Sequence, residues 1–434
     1  MPALPSPSAG RSASRVACAL VACALVALLV LAGCEGRLRS NPLDPLNPST
    51  GGGPSDFLAL AGNSRVTLSW RPAPGSAQLQ GFLLERRRLG PNVFEAVGPV
   101  LPISAGGYED TGVSNDLDYE YRLSYVLPSG AISGTPALRT ARPGQELAWV
   151  ADPGSDEVVR VTPDGRARVL TLTGVTSVNR ISIQLSGGEV WATMPLDGRV
   201  RIWRPDGTPI NSFSGLSEPN ALAVDPATLT AWICEELGPR VRRWNNLGTQ
   251  LGATALLGLP TDVGIRPGGG AWIVDQTRGW ILRVDPSGAA VDTVDVGPDP
   301  RRLAVDPLDG SVWVSRFSAN EVVHVSAGGV ILGRTPGLEG AYAIDIDEFR
   351  DQVWVSLDGA NAVQVLARSD GTPRFRVTGL PHPRGIAVVD RTGECWVTAI
   401  QSHELVRISS VGAIESRYNG FSAPFDVRVD PGPR

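Results

Sequence analysis

Three histidines, His324, His382 and His403, are the only imidazoles in this 434-residue chain. His382 sits between two prolines and His403 precedes Glu404, so His382, His403 and Glu404 come nearest to a metal-binding cluster. They lack the H-x-E or paired-His spacing that aims imidazole and carboxylate at one ion. Glu235, Asn220, Asp275 and Asp426 are oxygen donors on separate segments. All 39 basic residues are arginine. The absence of lysine excludes a P-loop phosphate clamp, a pyridoxal Schiff base and a Ser-Lys nucleophile pair. No G-x-S-x-G, H-E-x-x-H, C-x-x-C or EF-hand string occurs. No cofactor is expected. A divalent ion drawn from Glu235, Asp275, His382 and His403 is the one metal chemistry left open.

Positioning such scattered groups falls to a repeat. Trp149, Trp191, Trp232, Trp272, Trp313, Trp354 and Trp396 are spaced by 42, 41, 40, 41, 41 and 42 residues. Each is followed by a small or β-branched residue, as in WVA, WAT, WIC and WIV. Ahead of most runs an apolar strand ending in an acidic or proline turn, such as PNALAVDP at 219–226 and PRRLAVDP at 300–307. After most comes another short strand, such as EVVRVTPDG at 157–165 and WILRVDPSG at 280–288. Glycine (50) and proline (36) make up about a fifth of the chain, which suits many short strands and turns. A unit of ~41 residues with four strands is one propeller blade, stable only when stacked on neighbours. The first unit lacks its innermost strand, while PFDVRVDP at 424–431 is left over at the other end. Pairing the two predicts seven blades closed by the tail, and loss of the last 12 residues should then unfold or aggregate the domain.

The pattern P-x-x-[LI]-A-V-D-P, then [VA]-W-[VI], then V-x-R-[VI]-x-P-D-G resembles the NHL and streptogramin-lyase propellers, with the SMP-30 lactonases as more distant relations. It covers about 285 residues and speaks for scaffold rather than chemistry. In that group the loops entering the innermost strands and those after the second strands gather at the channel mouth. The resemblance implies a polar funnel of Asn220, Asp262, Arg301, Arg316, Tyr342, Arg384, His403 and Asp426, with Asn179, Arg180, Arg302, Asp152, Glu235 and Asp275 on the same loops. Several arginines there could fork onto a carboxylate or phosphate of a small anionic or zwitterionic ligand. Arg and Asp also close salt bridges and turns in any ring of repeated sheets, and both readings stand. Streptogramin lyases use His and Glu on this face with a divalent ion, which is where His382, His403 and Glu404 would matter. Lactonase-type coordination wants Glu, Asn and Asp from different blades, which the resemblance would give to Glu235, Asn220, Asp275 and Asp426, though any propeller mouth this polar offers such a set.

Residues 56–142 alternate in short strands. VTLSW at 66–70, GFLLERR at 81–87, YEDTGV at 108–113 and LDYEYRLSYV at 117–126 resemble a fibronectin type III domain. The resemblance makes Trp70 the core tryptophan and Tyr119 the tyrosine of the corner, its hydroxyl tied to nearby backbone. Arg86 to Arg88 read as a solvated strand face or a binding patch.

Arg11 and Arg15 precede an apolar run from Val16 to Leu31, shorter than the ~20 residues of a membrane span, and LAGC follows at 31–34. This resembles the lipobox of bacterial lipoproteins, which implies a signal peptide over 1–33 and a lipidated Cys34. Residues 34–55, rich in Pro, Asn, Gly and Ser, form a tether. Glu35, not being Asp, is compatible with an outer membrane in a two-membrane organism. Without 1–33, 37 arginines face 44 acidic residues, a net charge of −7 that argues against nucleic acid. Only Cys234 and Cys395 then remain, on non-neighbouring repeats.

The whole reads as an all-β chain: a fibronectin type III-like β-sandwich followed by a seven-bladed β-propeller (143–434) closed by C-terminal strand pairing with the N-terminal blade. The expected role is a monomeric cell-envelope lipoprotein, held to the membrane by its lipid, whose propeller is a non-catalytic binding or scaffold platform for a protein or small molecule. The rivals are a streptogramin-lyase-like or SMP-30-like lactonase or lyase with a metal at the channel mouth, and surface adhesion through the type III domain.

Overall fold

A computed structural model describes residues 41–430, apart from 48–49, 63, 74–75, 91–92, 116, 145–146, 163, 185–186 and 256. The expected signal peptide and Cys34 lie outside the described residues. Every helix or strand element among the described residues is a β-strand, and none is a helix able to cross a membrane. The chain divides between Arg142 and Pro143 into two compact units.

The first unit has two antiparallel sheets. One orders Leu58–Gly62, Arg65–Ser69 and Gly107–Asp110; the other has Gly81–Arg88 beside Tyr119–Val126 and Ile132–Ala141, with two short flanking strands. Strict alternation along Arg65–Ser69 buries Val66 and Leu68 and turns Arg65, Thr67 and Ser69 outward. The core centres on Trp70, which packs on Phe57 at 6.3 Å and on Phe82 at 5.6 Å. The Tyr119 hydroxyl accepts the Ser114 backbone N–H at 3.0 Å. Arg87 grips its cross-strand partner Glu120 at 2.6 Å and Arg86 grips Asp110 of the other sheet at 2.6 Å, so these two arginines of the basic run serve pairing within and between the sheets.

The second unit holds seven four-stranded antiparallel sheets among the described residues, an arrangement consistent with a propeller. In six, the four strands follow one another in sequence. The remaining sheet takes Arg168–Thr173, Glu157–Val161 and Ala148–Asp152 from the start of the unit and Asp426–Val429 from its end. Val427 pairs with Val150 and Arg428 with Trp149, and Phe425 and Asp430 extend the ladder by donating N–H groups to Ala151 and Leu147. The first strands (Asp426–Val429, Ile181–Ile183, Pro219–Val224, Pro260–Ile265, Pro300–Val305, Ala341–Asp347 and Pro383–Val388) touch one another in that order. Asp426–Val429 touches both Ile181–Ile183 and Pro383–Val388.

The recurring tryptophans are all buried at the second strands, none more than 2% exposed. Four lie under an arginine from the facing third strand: Arg160 over Trp149, Arg243 over Trp232, Arg283 over Trp272 and Arg407 over Trp396, at 5.5, 5.3, 5.8 and 5.9 Å. Arg283 also grips Asp292 at 2.6 Å and donates to the Ala327 carbonyl of the next sheet at 2.8 Å. A planar fork can stack and donate in several directions at once, which an ammonium cannot, and this suits a chain without lysine. His324 fills the corresponding place on Trp313, stacked at 4.0 Å and bonded to Ser311 at 3.1 Å. Burial lowers its pKa, so it is a neutral packing residue. Turn glycines complete the stacking. At Gly371 and Gly165, both left-handed, an added Cβ would meet Trp313 at 3.4 Å and Trp396 at 2.6 Å. Gly165 belongs to the sheet completed by the tail, and Trp396 to the sheet preceding it.

Candidate functional site

The starts of the first strands and the turns after the second strands carry most of the polar residues. Their backbone is set by local chemistry. The fourth residue after a second strand repeatedly adopts positive φ: Asp156 at 53°, Gly279 at 69°, Asn320 at 55°, Asn361 at 51° and His403 at 58°. Asp, Asn, Gly and His are the types that tolerate this region. Likewise Glu218, Asp299 and His382, at 53°, 59° and 47°, each precede the proline that opens a first strand. His382 and His403 therefore occupy turn positions that other repeats fill without histidine.

The carboxylates ending second strands are turn staples. Asp275 accepts N–H groups from Gly258 at 2.7 Å, Leu259 at 3.1 Å and Arg278 at 3.2 Å. Glu235 accepts from Ser217 at 2.9 Å and pairs with Arg242 at 2.8 Å, and Asp152 accepts from Ser422 and Ala423. His382 Nδ1 meets Asp358 at 3.1 Å, His403 Nδ1 meets the Ser422 carbonyl, and Glu404 pairs with Arg417 at 2.8 Å. Glu235, Asp275, His382 and His403 thus do not converge, because each answers the needs of its own turn. Among the described residues no group of three or more His, Cys, Asp and Glu could hold a metal ion. A divalent ion of the lyase kind does not fit this donor set. Cys234 and Cys395 are free and buried, and burial pushes both thiols well above their ordinary range, which favours the neutral thiol over the reactive thiolate.

The first strands make a buried charge network. Asp426 holds Arg180 at 3.0 Å and accepts the Ile181 N–H at 3.0 Å; Asp262 accepts the Leu303 N–H at 3.0 Å and lies 3.7 Å from Arg180. Asp345 accepts the Val388 N–H at 2.7 Å, and burial raises its pKa. Each carboxylate thus ties one first strand to the next. Asp262, Asp426, Asp345, Arg180, Arg302 and Arg428 border a cavity of about 100 Å³. Arg302 also donates to the Tyr342 hydroxyl at 3.1 Å, and Arg384 lies over the Tyr342 ring at 4.3 Å. Burial would raise the Tyr342 phenol, but the charges of Arg302, Arg384 and Arg180 outweigh it and hold the pKa below its ordinary value.

A second cavity, of about 180 Å³, is bordered by Asn220, Arg301 and Tyr342 of the expected funnel and by Asn179 and Arg302. Glu236, Gln276, Thr261, Leu259 and Phe425, which sequence reasoning did not single out, complete it. Most adjoin singled-out residues in sequence, a signal that could have found them. Asp345 and Arg428 were missed too, although Arg428 follows Asp426 by two and so shares its strand face. Arg384 and His403 border a separate open depression with His382, Ile400 and Gln401. Arg316 borders none of these three cavities; it pairs with Glu321 and donates to the Pro298 carbonyl at 3.2 Å. The expected single funnel is thus three places and one structural pair.

No known family profile matches the chain. Over 99 residues, 23% of this chain, it is 29% identical to the amylopullulanase of Thermoanaerobacterium saccharolyticum and 27% identical to that of Thermoanaerobacterium thermosulfurigenes. It spans only 7% and 5% of those proteins. A functionally unknown protein from Desulfotomaculum acetoxidans superposes with a TM-score of 0.58 at 15% identity, covering 66% of this chain and 99% of its own. A catalytically inactive virginiamycin B lyase from Staphylococcus aureus, with quinupristin, superposes at 0.52 and 15% identity, covering 59% and 93%. A streptogramin B lyase superposes at 0.52 and 13% identity, covering 65% and 91%. At such identities the likeness is one of fold, and the fold is that of the streptogramin-lyase-like propeller proteins.

Proposed function

We propose that this chain is a lipid-anchored envelope protein whose seven sheets are the blades of one closed propeller, and that the propeller is a binding platform without catalytic activity. Cys34 carries the lipid in this reading, residues 34–55 are the tether, and residues 56–142 are a fibronectin type III-like spacer. The buried Trp70 and the bond from Ser114 to the Tyr119 hydroxyl support the spacer assignment. Closure is supported by the tail strand completing the first sheet and by its contacts with the first strands on both sides. Two acyl chains with a third on the amine would hold the chain on a membrane without any basic patch, since each buried CH₂ contributes about 0.8 kcal/mol. The platform acts as a monomer.

One observation carries the platform reading. The carboxylates and imidazoles that an enzyme of this fold would need are spent on backbone N–H groups, carbonyls and arginines, whereas the cavity beside Tyr342 keeps polar groups uncommitted. The second reading, a lyase or lactonase, is favoured by the fold it shares with streptogramin B lyase. The two separate in one experiment. The full chain, purified from membranes in detergent, is assayed for bound divalent metal and for consumption of quinupristin. The platform reading expects neither stoichiometric metal nor loss of quinupristin, and finding both would overturn it.

A further inference from the structure

The cavity beside Tyr342 has two poles of opposite charge that do not satisfy each other. Arg301 engages Asp299 through Nε at 2.9 Å, and its terminal nitrogens meet no acceptor among the described residues. Glu236 receives only the Asn220 amide, at 3.3 Å, and has no ion-pair partner among the described residues.

Arg302 and the Tyr342 hydroxyl also border the cavity, bonded to each other at 3.1 Å. At the Glu236 pole the Asn220 Oδ1 atom is buried without a hydrogen-bond partner, in a residue only 8% exposed. Such an atom costs about 1–3 kcal/mol unless something donates to it. Gln276 gives its amide N–H to Asp299 at 2.8 Å, on the same oxygen that Arg301 Nε meets, so it stands at the Arg301 pole. Phe425, edge-on to Tyr342 at 6.4 Å, supplies an apolar wall.

We propose that this cavity binds a compact zwitterion of amino-acid size, its carboxylate forked by Arg301 and its primary ammonium shared by Glu236 and Asn220. An ammonium has three donors and no acceptor, which suits the Glu236 carboxylate and the orphaned Asn220 oxygen, with the third N–H left to water. A guanidinium takes a carboxylate through two parallel hydrogen bonds. About 180 Å³ admits an amino acid and excludes a folded domain. The inference rests on the platform reading and specifies the ligand class of its site.

The test is titration calorimetry on the detergent-solubilised full chain with the encoded amino acids, D-alanine, β-alanine and γ-aminobutyrate. The N-acetyl and amide derivatives of whichever zwitterion binds most tightly serve as controls. At least one zwitterion should bind about 10- to 100-fold more tightly than both derivatives, the range for a lost hydrogen bond to a charged group. Glu236→Gln should abolish the preference over the N-acetyl form, and Arg301→Gln the preference over the amide; both side chains lie outside the core, so the variants should fold. Equal binding of zwitterion and derivatives, or no binding across the panel, overturns the inference. In either case the platform reading survives unless the chain also carries stoichiometric metal and consumes quinupristin.

Discussion

Asp426 is where the tail strand meets the buried charge network, so Asp426→Ala is the most demanding test of the closure proposed above. Its carboxylate, in a residue only 1% exposed, pairs with Arg180 at 3.0 Å and accepts the Ile181 N–H at 3.0 Å. Truncation leaves the Arg180 charge in place, 5% exposed, with Asp262 at 3.7 Å as its remaining pair. Removing one partner of a buried pair costs about 3–5 kcal/mol. The orphaned Ile181 N–H adds about 1–3 kcal/mol. Because Asp262 can absorb part of the charge term, the loss should be about 4–6 kcal/mol, a large share of the roughly 5–15 kcal/mol that holds a domain folded. Asp426→Asn keeps an acceptor for Ile181 and should lose about half as much. The assay is equilibrium urea unfolding of the full chain followed by tryptophan fluorescence, which the buried blade tryptophans should dominate. With a slope of about 3 kcal/mol per molar, the midpoint should fall by about 1.5 M for Asp426→Ala. Asp370→Ala is the control, since that exposed carboxylate only caps a turn through Thr372. If Asp426→Ala moves the midpoint no further than Asp370→Ala, the tail does not latch the unit and the reasoning fails.

Tyr342 should ionise ahead of Tyr121 and Tyr125, because burial lifts the phenols of those two while arginines outweigh burial at Tyr342. A phenol whose folded pKa lies below its unfolded value of about 10 makes the fold more stable as pH rises between the two, and the gain is lost as pH falls through the folded value. Tyrosinate absorbance should therefore show an early step that Tyr342→Phe abolishes, and an unchanged titration in that variant would refute the arginine effect. Gly165→Ala should cost about 2–4 kcal/mol in the same urea assay, since its Cβ would meet the Trp396 ring at 2.6 Å from a left-handed backbone. A neutral result there would mean that the first and last sheets of the second unit do not pack as described.

Much of the scaffold was legible because its determinants are local and repeat. A buried tryptophan on every second strand recurs at the period of the unit, and the surplus strand at 424–431 announces its own missing neighbours. The left-handed turn positions were legible in principle, since Asp156, Asn320 and Asn361 mark the place that His403 takes. What the residue types could not reveal was which polar groups remain free. Glu235 and Glu236 are adjacent and identical in type, yet the first is consumed by the Ser217 N–H and Arg242 while the second borders the cavity. Asp262 and Asp275 both belong to the same sheet, but one ties neighbouring first strands and the other staples a turn. By itself the sequence determined an all-β chain of repeated sheets and the residues buried in them, because burial follows periodicity along one strand. Only the tertiary structure decided which arginines and carboxylates meet and which are left over, because partners such as Arg180 and Asp426 lie on strands about 250 residues apart. Their pairing depends on how the strands are brought side by side, not on any spacing between them.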